Sequence, residues 1–107
     1  MTPGGRLDFA AVGWADDQAG IRSRAATALG ARWALVEYGP GAARDEWCTD
    51  GHRGFVVSGR IEYEFDDGSA PLAAEEGQAF FLAAGTGHRG RNPGDGVARL
   101  FLIDDPA

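Results

Sequence analysis

Apolar and polar positions alternate over short stretches of this chain, and no long run keeps a helical spacing. From Arg32 to Tyr38, Ala34, Val36 and Tyr38 share one face of an extended strand, and Trp33, Leu35 and Glu37 share the other. Gly39-Pro40-Gly41 must end that strand, since proline cannot donate to a ladder. Ile61, Tyr63 and Phe65 alternate with Glu62 and Glu64 in a half-buried strand. Phe55-Val56-Val57 reads as a buried strand, Leu72 opens another, and Gln78 to Leu82 and Val97 to Ile103 complete the set. Ala19 to Leu29 is less plain, because its alanines favour helix. Yet Ile21, Ser23 and Ala25 alternate with arginines between Gly20 and Gly30, so a strand with arginines outward is expected. Asp45 to Cys48 reads as a short extended piece, with Glu46 and Cys48 on one face and Trp47 on the other.

Turns are expected at Asp16-Asp17-Gln18, Ser58-Gly59-Arg60, Asp66-Asp67-Gly68, Glu75-Glu76-Gly77 and Asn92 to Gly96, with a small-residue loop from Ala83 to Gly87. Residues 1–6 read as a loose tail, followed by a weak apolar set, Leu7, Phe9 and Val12, that could lie across a barrel surface. The pattern is all-β, a sandwich or barrel of many short strands without a long helix.

At 107 residues the chain is one domain on length alone. The 17 glycines fall between apolar runs, as tight turns require. A net charge of −6 argues against a nucleic-acid backbone as partner. All ten basic residues are arginine, which excludes Schiff-base chemistry and a phosphate-loop lysine. The single cysteine permits no internal disulfide and suits a reducing compartment. No apolar run reaches membrane-spanning length, and the N-terminus lacks the cationic-then-apolar order of a signal peptide. The expected location is the cytoplasm, away from membranes.

Chemistry concentrates in two places. Glu46, Cys48 and His52 lie within one short stretch, and His88, the second of two histidines, follows Gly85-Thr86-Gly87. Carboxylate, thiolate and imidazole are the ligand types of zinc and several other divalent ions. Each residue alone has a plainer role: a lone cysteine is usually a small buried hydrophobe, and a lone glutamate is usually solvated. The joint case rests on glycine-rich corners that flank both places beside strands.

These residues resemble the cupin superfamily. Its second motif reads glycine, five residues, proline, one, glycine, two, histidine, three, asparagine; Gly77, Gly85, His88 and Asn92 match it, with Ala83 where proline stands. The first motif is degenerate. Gly59 is present, His52 falls where the motif has glutamate, and its two histidines fall on Glu46 and Cys48 in one register. In the other register they fall on Asp45 and Trp47, with Gly39 opening the motif. The first register is preferred because its side chains can coordinate. Glu46-Trp47-Cys48, Gly51-His52 and Gly54 to Gly59 also look like a subgroup of small single-domain cupins. The resemblance, carried by residues 32–103, implies a jelly-roll barrel of two antiparallel sheets, often dimeric, with His88 an inward ligand. It leaves activity open, since cupins include dioxygenases, isomerases, sugar-binding modules and metal-free proteins.

Three readings follow. In the first, Glu46, Cys48, His52 and His88 hold a divalent metal, zinc ahead of iron or nickel, beside a small-molecule pocket walled by Tyr38, Trp47, Phe55 and Phe80. In the second there is no metal, and the same pocket binds a small organic ligand. In the third the chain is a structural or regulatory homodimer with a vestigial pocket, with Trp14, Trp33 and Val97 to Ile103 at the interface. Enzyme status is left open.

Overall fold

The computed structural model describes residues 3–105. Met1 and Thr2 of the expected tail lie outside the described residues. A 3-10 turn at Phe9–Ala11 precedes nine strands: β1 Ala15–Gln18, β2 Ile21–Ala28, β3 Ala31–Tyr38, β4 His52–Ser58, β5 Arg60–Phe65, β6 Leu72–Glu75, β7 Ala79–Leu82, β8 His88–Arg91 and β9 Ala98–Asp104. They form a six-stranded sheet in the order β1-β2-β3-β9-β4-β7 and a three-stranded sheet in the order β6-β5-β8. All pairings are antiparallel. The all-β expectation is met, and the single 3-10 turn is the only helical element among the described residues.

Period-2 alternation places the core. Ala34, Val36 and Tyr38 of β3 face inward, as do Leu100 and Leu102 of β9 and Ile61 and Tyr63 of β5. Ile61 and Leu100 have no exposed surface, and each such side chain contributes about 1.5–3 kcal/mol. The chain passes from one sheet to the other at Gly59, whose φ of 81° belongs to glycine. A β-carbon there would also stand 2.8 Å from the Val97 carbonyl oxygen. A bulge between Val56 and Ser58 tips β4 into that corner. Asn92, the last residue of the second motif, is buried; its side-chain nitrogen donates to the Tyr38 carbonyl at 3.1 Å and the Gly96 carbonyl at 2.7 Å. It staples the turn that leads into β9.

Four local expectations need correction. Asp16-Asp17-Gln18 lies in strand β1, because Ala15 and Asp16 pair with Ser23 and Arg22 and the reversal falls later, at Gly20. In Phe55-Val56-Val57 only Val56 is buried; Phe55 and Val57 point outward, each 41% exposed. Residues 45–48 form no strand, and only Cys48 joins a ladder, through an isolated bridge to His88. His88 opens a strand, β8, where none was expected.

Candidate metal centre

Three strands and one bridge bring the reactive side chains together. Cys48 and His88 face each other through a reciprocal pair of backbone hydrogen bonds, each 2.9 Å. That pairing fixes the thiol beside the start of β8, where His88 takes the inward position and is 3% exposed. His52 opens β4 and stands directly across from Asp104 at the end of β9. The His52 and His88 rings are edge to face with centroids 4.9 Å apart.

The sulfur of Cys48 lies 3.7 Å from Nε2 of His52. One ligand atom from each of Cys48, His52 and His88 lies within 4.8 Å of the other two. A tetrahedral ion bonded at about 2.0–2.3 Å separates its ligand atoms by roughly 3.3–3.8 Å. The Cys48–His52 spacing falls inside that range, and the widest pair needs to close by about an ångström, within reach of side-chain rotation. Nδ1 of His88 is buried with no partner in hydrogen-bond geometry. Burial, and secondly the neighbouring His52, hold His88 below the ordinary imidazole value, while the Thr86 backbone and Asp50 pull weakly the other way. A neutral imidazole is the form that binds metal. Thiolate and two imidazoles supply three donors and leave a position for water or ligand.

Around the cluster is a cavity of about 780 Å³, lined among others by Tyr38, Arg44, Glu46, Trp47, Tyr63 and Asp104. Burial raises the phenol of Tyr63 well above its usual range, with Tyr38 adding to it, so Tyr63 remains a neutral group. Burial likewise raises Tyr38, against the opposing charge of Arg44. Nε of Arg44 donates to the Tyr38 hydroxyl at 3.1 Å, and an Nη bonds Asp17 at 3.0 Å. At the mouth, the Arg89 guanidinium stacks on Trp47 at 4.1 Å.

Of the expected ligands, Cys48, His52 and His88 converge and Glu46 does not. Glu46 lines the cavity but is exposed and lies outside the group of close donors. Its expected shared face with Cys48 depended on strand alternation, which the irregular backbone at 45–47 does not provide. Asp45 and Trp47, the other motif register, also stay outside that group. Tyr38 and Trp47 line the cavity, whereas Phe55 and Phe80 do not. Phe55 points outward on β4. Phe80 is buried in the core, its ring 5.4 Å from that of Tyr63 and seated over Gly54, where a β-carbon would collide with it.

Sequence reasoning misses Asp104, which lies one residue past the expected strand Val97 to Ile103. Its Oδ1 lies 2.8 Å from Nδ1 of His52. The signal was present in the alternation of β9: Ala98, Leu100 and Leu102 face inward, and the next position on that face is Asp104. Arg44 was missed because nothing in its glycine- and alanine-rich surroundings indicates a direction.

A jelly-roll of two antiparallel sheets with a thiol and two imidazoles gathered at its inner surface defines a β-barrel protein with a candidate metal centre. The cupin-domain family model matches residues 34–104, and the chain belongs to that family. No curated protein sequence matches it. Among solved structures it is similar to KdgF from Halomonas sp., at 20% identity and a TM-score of 0.75, covering 97% of this chain and 94% of that one. It is also similar to the cupin domain of Schizosaccharomyces pombe Cnp3, at 13% identity and a TM-score of 0.77, covering 95% and 74%. A variant of Bacillus subtilis oxalate decarboxylase matches at 15% identity and a TM-score of 0.77 over 94% of this chain but 29% of its own. That decarboxylase has Mn(II) centres. At these identities the likeness shows the fold alone.

Proposed function

We propose that this domain binds one divalent metal ion through Cys48, His52 and His88, with the open position facing a small molecule in the adjoining cavity. The observation that carries this is the convergence of three donors, from a bridge and two strands far apart in sequence, within 4.8 Å. A thiolate beside two imidazoles favours zinc, with iron and nickel behind it. The Mn(II) centres of the decarboxylase carry no weight for the metal here, since that likeness is one of fold. Protein purified without added metal is expected to hold about one ion per chain by elemental analysis. A chelator should lower its melting temperature, and Cys48→Ser should lose most of the metal. Full occupancy in Cys48→Ser would remove the thiolate from the site.

A metal-free reading is favoured by one observation. The cavity, at about 780 Å³, falls in the size range of small-molecule sites and carries its own hydrogen-bonding groups, Tyr38, Arg44 and Tyr63. Metal-free protein with a melting temperature indifferent to chelator would support it.

The unpaired thiol of Cys48 supports a reducing compartment, and we assign the cytoplasm. No helix among the described residues is long and apolar enough to cross a membrane. We also propose that a second copy of the chain covers the bare outer face of β4 and β7. That face is apolar at Phe55, Val57 and Phe81 and carries both signs of charge at its rim, Arg53 and Asp105, as a self-complementary contact requires.

A further inference from the structure

We propose that Asp104 is the positioning residue of the site, fixing the imidazole of His52 so that Nε2 presents its lone pair to the cluster. This builds on the proposed metal centre, but it stands on contacts present in the chain itself. An ionised carboxylate has no proton to donate, so at 2.8 Å from Nδ1 of His52 it can only accept. Nδ1 therefore carries the proton. The neutral ring has a single N–H, so Nε2 is left as the acceptor and faces the sulfur of Cys48 at 3.7 Å. Backbone register enforces the contact, because His52 and Asp104 are direct partners across the β4–β9 ladder. The second oxygen of Asp104 is 3.8 Å from a guanidinium nitrogen of Arg32, so the carboxylate sits between Arg32 and the ring. The order Arg32, Asp104, His52 is the carboxylate–histidine arrangement that orients a metal ligand and raises its basicity.

Asp105 supplies the control. It is the adjacent carboxylate, its side chain is 40% exposed, and it lies 3.7 Å from Arg53 at the rim.

The test has two arms. In metal-free wild-type protein above about pH 8, where a free imidazole is neutral, nitrogen-15 shifts should show His52 as the Nδ1–H tautomer. Finding Nε2–H would overturn the proposal without any variant. In Asp104→Asn and Asp104→Ala the tautomer preference should weaken, and zinc affinity, measured by competition with a chelating dye, should fall roughly 10–100-fold. Asp105→Ala should keep wild-type affinity and tautomer. Circular dichroism and apo melting temperatures separate loss of fold from loss of orientation. Wild-type affinity and tautomer in a folded Asp104→Asn would overturn the positioning role. Should the wild type bind no zinc, the metal reading alone falls, and the tautomer arm still decides what Asp104 does.

Discussion

The two sheets of this barrel share one interior and present opposite exteriors. On the three-stranded sheet the outward positions of β5 and β8 are charged, and they pair: Glu62 with Arg91 at 2.8 Å and Arg60 at 3.0 Å, Glu64 with Arg89. On the six-stranded sheet the outward rows run through Trp33, Leu35, Phe101, Ile103 and Phe55 to Phe81, and the charges there are Arg24, Arg53 and the end row Asp16–Arg22–Glu37–Arg99. The N-terminal segment covers one half of that face. Phe9 packs on Phe101 at 6.2 Å between centroids, and Trp14 lies under the guanidiniums of Arg22 and Arg24. The other half stays bare, with Phe81 80% exposed. Both sheets obey the same inward alternation, so the interior specifies the fold while the exterior specifies what may lie against it. A face of exposed aromatics marks a contact; a face of ion pairs is suited to water.

The largest effect should come from charging the bare half. Phe55→Asp with Phe81→Asp is expected to weaken self-association at least ~1000-fold, about 4 kcal/mol, read by sedimentation equilibrium, with the monomer's circular dichroism unchanged. A wild type that is monomeric at every concentration would leave that face without its second copy. Next, Phe101→Ala on the covered half should destabilise the fold by about 2–3 kcal/mol in denaturant unfolding, since its ring touches both Trp33 and Phe9. A loss under about 1 kcal/mol would mean that the N-terminal segment contributes little.

The sequence showed the fold more clearly than the site, for a physical reason. Alternation is local and exact in period, so β2, β3, β5 and β9 could be read with their inward faces, including arginines outward on β2. Cys48, His52 and His88 could be named from residue type and corner glycines. Glu46 could not be tested that way, because its placement depends on an irregular loop. Phe55 and Phe80 could not be separated by residue type: alternation turns Phe55 outward, whereas Phe80 points inward but is taken up by core packing against Tyr63. Asp104 is the instructive miss: extending the β9 alternation by one step would have put a carboxylate at the site. The partition of aromatics between the covered and bare halves depends on where the N-terminal segment lies, which no period encodes.

The charged row that closes the apolar face gives a smaller effect with a pH signature. Burial alone would raise Glu37, but hydrogen bonds from Arg22 and Arg99, with their charges, outweigh it and hold the carboxyl below its usual value. A folded value below the unfolded one, about 4.3, means the contribution is present above that pH and is lost as pH falls through the lower folded value. Glu37→Gln should therefore cost on the order of 1–2 kcal/mol at pH 7, with the gap to wild type closing below about pH 4. A gap independent of pH would assign the cost to packing.

The smallest effect belongs to the ionic face. Glu64→Gln breaks the pair with Arg89, whose side chains are 54% and 33% exposed respectively. Such pairs are screened and contribute at most about 0.5 kcal/mol, less in high salt. If unfolding in low and high salt shows that small, salt-suppressed loss, the two exteriors differ in kind: one can be neutralised almost without cost, the other cannot be charged without losing its contact. A loss above about 1.5 kcal/mol would break the comparison. Arg89 also stacks on Trp47 at the cavity mouth. A large value would then mean that the pair holds this stack in place, and that the ionic face is part of the site's entrance.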